Sequence, residues 1–220
     1  MAQGVHKITE QFEQELARYT GAPFAICVDN QSNALFLCLT YYFMKNGSLQ
    51  GGQRPLITIP ERTYPSVPCE IIHAGGKVQF SKVDGTTIKG AYQLEPTNVV
   101  DSALLFTADM YQRGTMACLS FTGPYKTLKL SKGGAILLDD PNAYKWLKKA
   151  RFSGRDECSY HDDNFDEFPV VGWNFYMMPE IAARGLLMMP QFYNADGTKK
   201  NNPPLELSYP NLSTFKIFQQ

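Results

Sequence analysis

Five stretches of the chain carry side chains suited to chemistry. The first is Asp29-Asn30-Gln31-Ser32-Asn33, between a β-rich run (Phe24 to Val28) and an apolar run from about Ala34 to Met44. Amides at a helix start attract an anion, and Ser32, Asn30 and Gln31 add side-chain donors. The same residues would equally make a plain N-cap. They include no glycine, which excludes a Walker loop and a dinucleotide fingerprint. The second is Asp101, at the carboxyl end of the apolar run Asn98-Val99-Val100. A carboxylate there points into the crevice where α/β folds bind ligands and could hold a protonated ring nitrogen; it could as well cap the segment that starts at Ser102. The third runs from Ser120-Phe121 through Lys126, Lys129 and Lys132 to Gly133-Gly134. Loop lysines are usually solvated, but one buried beside a carbonyl cofactor loses its proton and forms a Schiff base. The fourth is the polar run from Arg155 through His161, Asp162, Asp163, Asp166 and Glu167. One histidine among flexible carboxylates fixes no metal geometry, so a solvated loop and no metal are expected. The last is Gly172-Trp173-Asn174-Phe175-Tyr176-Met177-Met178-Pro179-Glu180, which could be core, interface or cofactor box.

The elements that must position these residues alternate. Residues 7–18 place Ile8, Phe12 and Leu16, with Tyr19 beyond, on one helical stripe, and Gly21 stops the helix. Strands are expected at Phe24–Val28, Leu56–Ile59, Lys77–Phe80, Asn98–Asp101, Met116–Phe121 and Gly134–Leu138. Helices are expected at about Ala34–Met44, Pro65–His73, Asn142–Arg151 and Met178–Met188, with Pro68 an awkward presence in the second of these. Residues 153–168 read as a loop, and 190–220, rich in Asn, Pro and Tyr, as an irregular tail that wraps a surface or a partner. Alternation of this kind predicts an α/β three-layer sandwich with a mostly parallel central sheet.

The chain has 220 residues, 44% of them hydrophobic and 19% charged, enough for a sizeable core. Twenty-one basic and 21 acidic residues leave a formal charge of zero, so there is no global field for nucleic acid. No apolar run approaches the roughly 20 residues of a membrane span. Met1 to His6 contain no apolar leader. Cysteines at 27, 38, 69, 118 and 158 are odd in number and lack Cys-x-x-Cys spacing. That argues against a disulfide framework or zinc knuckle and for a reducing cytoplasm, with all but Cys158 as core filler.

In their order, these segments resemble the DegT/StrS-type sugar aminotransferases, pyridoxal-phosphate enzymes of the aspartate aminotransferase fold (fold type I). Phe12 to Gly21 is similar to that family's first helix. Asn30-Gln31-Ser32-Asn33-Ala34-Leu35 stands where the family has its Ser-Gly-Thr-x-Ala-Leu phosphate-binding turn. Pro60-Glu61-Arg62-Thr63-Tyr64 resembles its Pro-x-x-Thr-aromatic stretch, and Val100-Asp101-Ser102-Ala103 its Glu-Asp-x-Ala motif. Ser120-Phe121, Lys126 and Gly133-Gly134 resemble its Ser-Phe…Lys…Gly-Gly pattern, in which the lysine lies seven residues before the first Gly; this selects Lys126 over Lys129 and Lys132. Gly172 to Met177 resembles its Gly-aromatic-Asn-x-x-Met motif.

The resemblance implies roles. Lys126 would be the Schiff-base lysine and general acid-base, and Asp101 the partner of the pyridine nitrogen. Gln31, Ser32, Asn33 and Ser120 would lie about the phosphate. Tyr64 would stack on one face of the ring and Ala103 pack on the other. Asn174 would reach the cofactor of a second subunit, which implies a homodimer. The implied reaction moves an amino group from a donor such as glutamate to a keto sugar, nucleotide-linked, in the cytoplasm, with no nucleic acid or membrane involved. A non-catalytic or partner-dependent protein on the same fold is the alternative. Residues 1–190 would form the cofactor-binding domain and 191–220 a tail, with no counterpart of the family's small domain. Departures from the family are Gln31 for a glycine, Leu104 where Gln or His usually stands near the cofactor's phenolic oxygen, and Lys132 for an acidic residue.

Overall fold

A computed structural model describes residues 6–157 and 168–219. Among the described residues there are five α-helices: α1 (Lys7–Thr20), α2 (Gln31–Lys45), α3 (Ser66–His73), α4 (Pro141–Ala150) and α5 (Pro179–Met188). The strands are β1 (Phe24–Val28), β2 (Leu56–Pro60), β3 (Lys77–Ser81), β4 (Thr87–Lys89), β5 (Tyr92–Gln93), β6 (Val99–Asp101), β7 (Met116–Ser120), β8 (Gly134–Leu138) and β9 (Glu206–Ser208).

Local chemistry sets the element ends. The stripe of Phe12, Leu16 and Tyr19 on α1 is fully buried. Helix α2 starts earlier than the apolar run suggests because the Asn30 side chain accepts from the Asn33 backbone amide at 2.9 Å and caps it. Pro68 sits in the first turn of α3, where amides have no partner within the helix, so it breaks nothing. Helix α4 carries Pro141 at its first position, and Asp140 caps it by accepting from the Asn142 amide at 2.8 Å.

A mostly parallel central sheet is expected from the sequence; the sheet found is mixed. Its order is β1-β8-β7-β6-β5, and only the β6–β7 pair is parallel. The reason lies in the connections. Residues 94–98 between β5 and β6 are too few for a crossover, and residues 121–133 between β7 and β8 contain no helix, so both pairs close antiparallel. Strands β2 and β3 pair in parallel beside this sheet, joined to it by the antiparallel Thr58–Glu95 bridge. Taken together, the pairings make β1, β2, β3, β6 and β7 run the same way, with β5 and β8 reversed.

Alternating side chains of the sheet feed two cores. Ile26, Val28, Cys118 and Ile136 pack with α2, α3 and α4. Ala25, Cys27, Leu119 and Leu137 pack with Phe12 and Leu16 of α1 and Ala182 of α5. Cys27, Cys38 and Cys118 are buried filler, and Cys69 is half-buried; Cys158 and the acidic run 158–167 lie outside the described residues. Among those described, no helix is long and apolar enough to cross a membrane. The tail lies across its own chain. Strand β9 pairs with β4, and the Leu205 amide donates to the Leu104 carbonyl at 2.7 Å.

A buried ion network locks α1, β1 and α4. Arg151 is fully buried and donates to Glu13, Glu157 and the Cys27 carbonyl. Lys148 bridges Glu13 at 3.2 Å and Glu157 at 3.3 Å. Burial opposes ionisation of Glu157, yet Arg151 and Lys148 hold its acid below the usual carboxylate range. Its contribution is therefore complete at neutral pH and fades as pH falls through the carboxylate range. Arg151→Met leaves buried Glu13 and half-buried Glu157 short of a partner and is expected to cost about 3–5 kcal/mol in urea unfolding at neutral pH. A loss below about 1 kcal/mol would mean that the network is dispensable.

Candidate active site

The carboxyl ends of β1, β2, β6 and β7 converge on one cavity of about 450 Å³. Clefts form at this edge in α/β folds because the loops leaving parallel strands diverge there. Asn30, Gln31 and Ser32 enter it from the junction of β1 with α2, and Tyr64 enters beyond β2. Ala103 follows β6, and Ser120 and Thr122 end β7. The loop back to β8 adds Tyr125, Lys126, Ser131 and Lys132.

The Gly133-Gly134 pair follows from this convergence. A Cβ on Gly134 would lie 2.7 Å from the Gln31 amide nitrogen and 2.8 Å from the Leu119 carbonyl oxygen, both backbone atoms that cannot give way. Gly133 has φ 132°, a conformation that side chains rarely adopt. The pair lets β8 start against the amino end of α2.

Lys126 and Asp101 meet through one residue. The Ala103 amide donates to Asp101 Oδ1 at 2.9 Å, and the Ala103 carbonyl accepts from Lys126 Nζ at 2.7 Å. Asp101 is buried and accepts two further bonds, from Gln31 Nε2 at 2.7 Å and from the Tyr92 hydroxyl at 2.9 Å. Burial raises its acid above the usual value, and the bonds together with the Lys126 charge offset part of that rise. Burial also lowers the Lys126 amine below its usual value, against the pull of Asp101. A half-buried amine that sheds its proton easily, near a carboxylate, is suited to attack a carbonyl. Lys132 also lines the cavity, but its side chain is largely exposed and its nitrogen lies 4.0 Å from Asp29. Lys129 is exposed and off the wall.

Hydroxyls gather at the amino end of α2. Ser32 Oγ donates to Ser66 Oγ, the first residue of α3, at 2.7 Å, and Ser120, Thr122 and Ser131 lie on the same wall. With the α2 dipole these donors suit an anion.

Of the residues singled out in the sequence, Gln31, Ser32, Tyr64, Ala103, Ser120 and Lys126 are on the cavity wall. Asp101 stands behind it, screened by Gln31. Asn33 is not brought to the wall: its side-chain amide donates to Asp29 at 2.8 Å and serves the turn itself. Asn174 is exposed and bridges Phe152 by its backbone, away from the cavity. Sequence reasoning missed Ser66, Thr122, Tyr125, Ser131, Leu207 and Tyr209. Proximity to Lys126 and Gly133 could have flagged three of these. Nothing in the tail marked Leu207 and Tyr209, which reach the wall because β9 pairs with β4 and because Arg62 holds the Tyr209 carbonyl at 3.1 Å. The Tyr64 and Tyr209 rings meet edge to face at 6.1 Å. Burial, and then the Asp101 charge, push the Tyr209 hydroxyl up to about 12.

Comparison with solved structures finds this fold repeatedly. AtS13 from Actinomadura melliaura superposes with a TM-score of 0.69 at 17% identity, over 84% of this chain and 61% of that one. Helicobacter pylori PseC, an aminotransferase of pseudoaminic acid biosynthesis, gives 0.65 at 15% identity, over 86% and 58%. A mutant of the GDP-4-keto-6-deoxymannose-3-dehydratase ColD, with bound GDP-perosamine, gives 0.63 at 16% identity, over 84% and 62%. The chain thus spans about three fifths of the length of these proteins. Curated proteins yield no match. The sequence profile of the DegT/DnrJ/EryC1/StrS aminotransferase family matches residues 4–99 and 109–202, so the chain belongs to that family.

Proposed function

We propose that the chain is a pyridoxal-phosphate-dependent aminotransferase that moves an amino group from an amino acid donor such as glutamate to a nucleotide-linked keto sugar, as a cytoplasmic homodimer in which residues 1–190 form a three-layer cofactor domain. The observation that carries this reading is the Lys126–Ala103–Asp101 link, with a lysine and a carboxylate bonded to the two ends of one residue at the cavity.

The residues present fit the cofactor by the chemistry of their donors. Ser32, Ser120 and the first turn of α2 suit a phosphate dianion. Tyr64 and Ala103 offer flat walls for a ring, and Asp101 suits a cationic ring nitrogen. When bound, pyridoxal phosphate supplies the reactive carbonyl and an electron-withdrawing ring. Lys126 Nζ is the group that takes and returns a proton, and burial favours its neutral form over that of a solvated lysine. Asp101 stabilises positive charge in front of it, and its burial strengthens that effect by excluding water. A lysine at position 126 favours transamination over dehydration, since the related sugar dehydratases resemble this family but carry histidine there. One observation favours the non-catalytic alternative: Leu104 is buried and offers no polar atom in its side chain beside the site.

A second subunit would bring Asn174 to use. In one chain it is exposed, and exposed Val171, Met178 and Leu187 lie nearby in sequence, an apolar set suited to an interface. Sedimentation equilibrium is expected to give a dimer that Leu187→Glu weakens; a monomer at micromolar concentration would refute the dimer.

Incubation with pyridoxal phosphate is expected to give a visible absorption band that glutamate bleaches. Borohydride reduction should then leave the pyridoxyl group on the peptide containing Lys126, and Lys126→Ala should abolish both band and label. A label on Lys129 or Lys132 instead, or none, would sink the reading. Labelling should reach half its plateau below the ordinary lysine value of about 10.4. In Asp101→Asn protein the midpoint should fall further, because the negative charge that helps hold the Lys126 proton is gone. A midpoint that rises in this variant would contradict the electrostatic coupling.

A further inference from the structure

The side chain of Gln31 makes a bond that the proposed chemistry does not use. It is the first residue of α2, is 6% exposed, and lines the cavity, whereas Asp101 does not. Three donors surround the Asp101 carboxylate. Two of them belong to the body of the protein: the Ala103 amide on Oδ1 and the Tyr92 hydroxyl on Oδ2, itself tied to Thr63. The third, Gln31 Nε2, comes from the cavity side and bonds Oδ1 at 2.7 Å. Of the three, it alone sits at the end of a flexible side chain whose backbone is fixed by a helix start. The primary amide carries no charge, so a cationic N–H would make the stronger bond to a carboxylate.

We infer that the Gln31 side chain is a latch over Asp101: it covers Oδ1 from the cavity side, and a cationic ring nitrogen that bonds this oxygen from the cavity displaces the Gln31 amide. The inference rests on the cofactor reading above and adds to it a cost of entry. A ligand whose docking requires a side chain to leave binds more weakly by the fraction of molecules in which the latch is open. Gln31 is thus a positioning residue: closed, it keeps the buried carboxylate satisfied; open, it releases Asp101 to the ring.

The test is a titration of the purified chain with pyridoxal phosphate, followed by absorbance and by reductive labelling. Wild type, Gln31→Ala, Gln31→Gly, Asp101→Asn and the Gln31→Ala/Asp101→Asn pair are compared, with circular dichroism melts to show that each is folded. Both Gln31 variants are expected to bind about tenfold tighter than wild type. The gain should vanish in the Asp101→Asn background, because the latch has nothing left to guard. A merely structural role for Gln31 would weaken binding or change it equally in both backgrounds, and either result overturns the latch. Equal affinities with normal Lys126 labelling overturn the latch alone. Absence of Lys126 label in every protein overturns the cofactor reading and the latch with it.

Discussion

The site rests on holding one carboxylate where burial opposes its charge. Burial of Asp101 favours its neutral form, and an isolated charge there would be lost to protonation. Three donors and a nearby amine counter that tendency. Each donor commits a different element. Gln31 requires α2 to begin where it does, Tyr92 requires the short β5 strand beside β6, and the Ala103 amide requires the chain to turn as it leaves β6. The same residue then fixes Lys126 from the other side.

The two glycines before β8 serve the same end. They let a strand start and a helix start share space that a single methyl group would occupy, bringing the phosphate-suited end of α2 against the loop that holds Lys126. The fully buried Arg151 network works on a larger scale, tying α1 and α4 to β1, the strand that leads into that junction.

Much of this was legible in the sequence where local rules decide the outcome. The stripe of Phe12, Leu16 and Tyr19, the capping side chain at Asn30, and the apolar strands all landed close to their expected places. Lys126, Asp101, Ser32 and Tyr64 could be picked out because their spacing resembles a known pattern. Sheet direction was not legible, because it depends on what the connections contain: residues 94–98 and 121–133 return the chain without a helix, and no property of the strands themselves announces this. The same holds for Tyr92 and Tyr209. One sits on a two-residue strand and the other beyond a three-residue strand, too short for any period, and the second acquires its place from a strand far away in the chain.

The pairing of β9 with β4 bears on the order of events during synthesis. The Thr87 hydroxyl and the Glu206 carboxylate that it meets are 119 residues apart. While a ribosome is still adding the residues that follow β8, Lys126 and Asp101 already exist but the wall carrying Leu207 and Tyr209 does not. The pocket is therefore completed late, by a strand that emerges after all the others described.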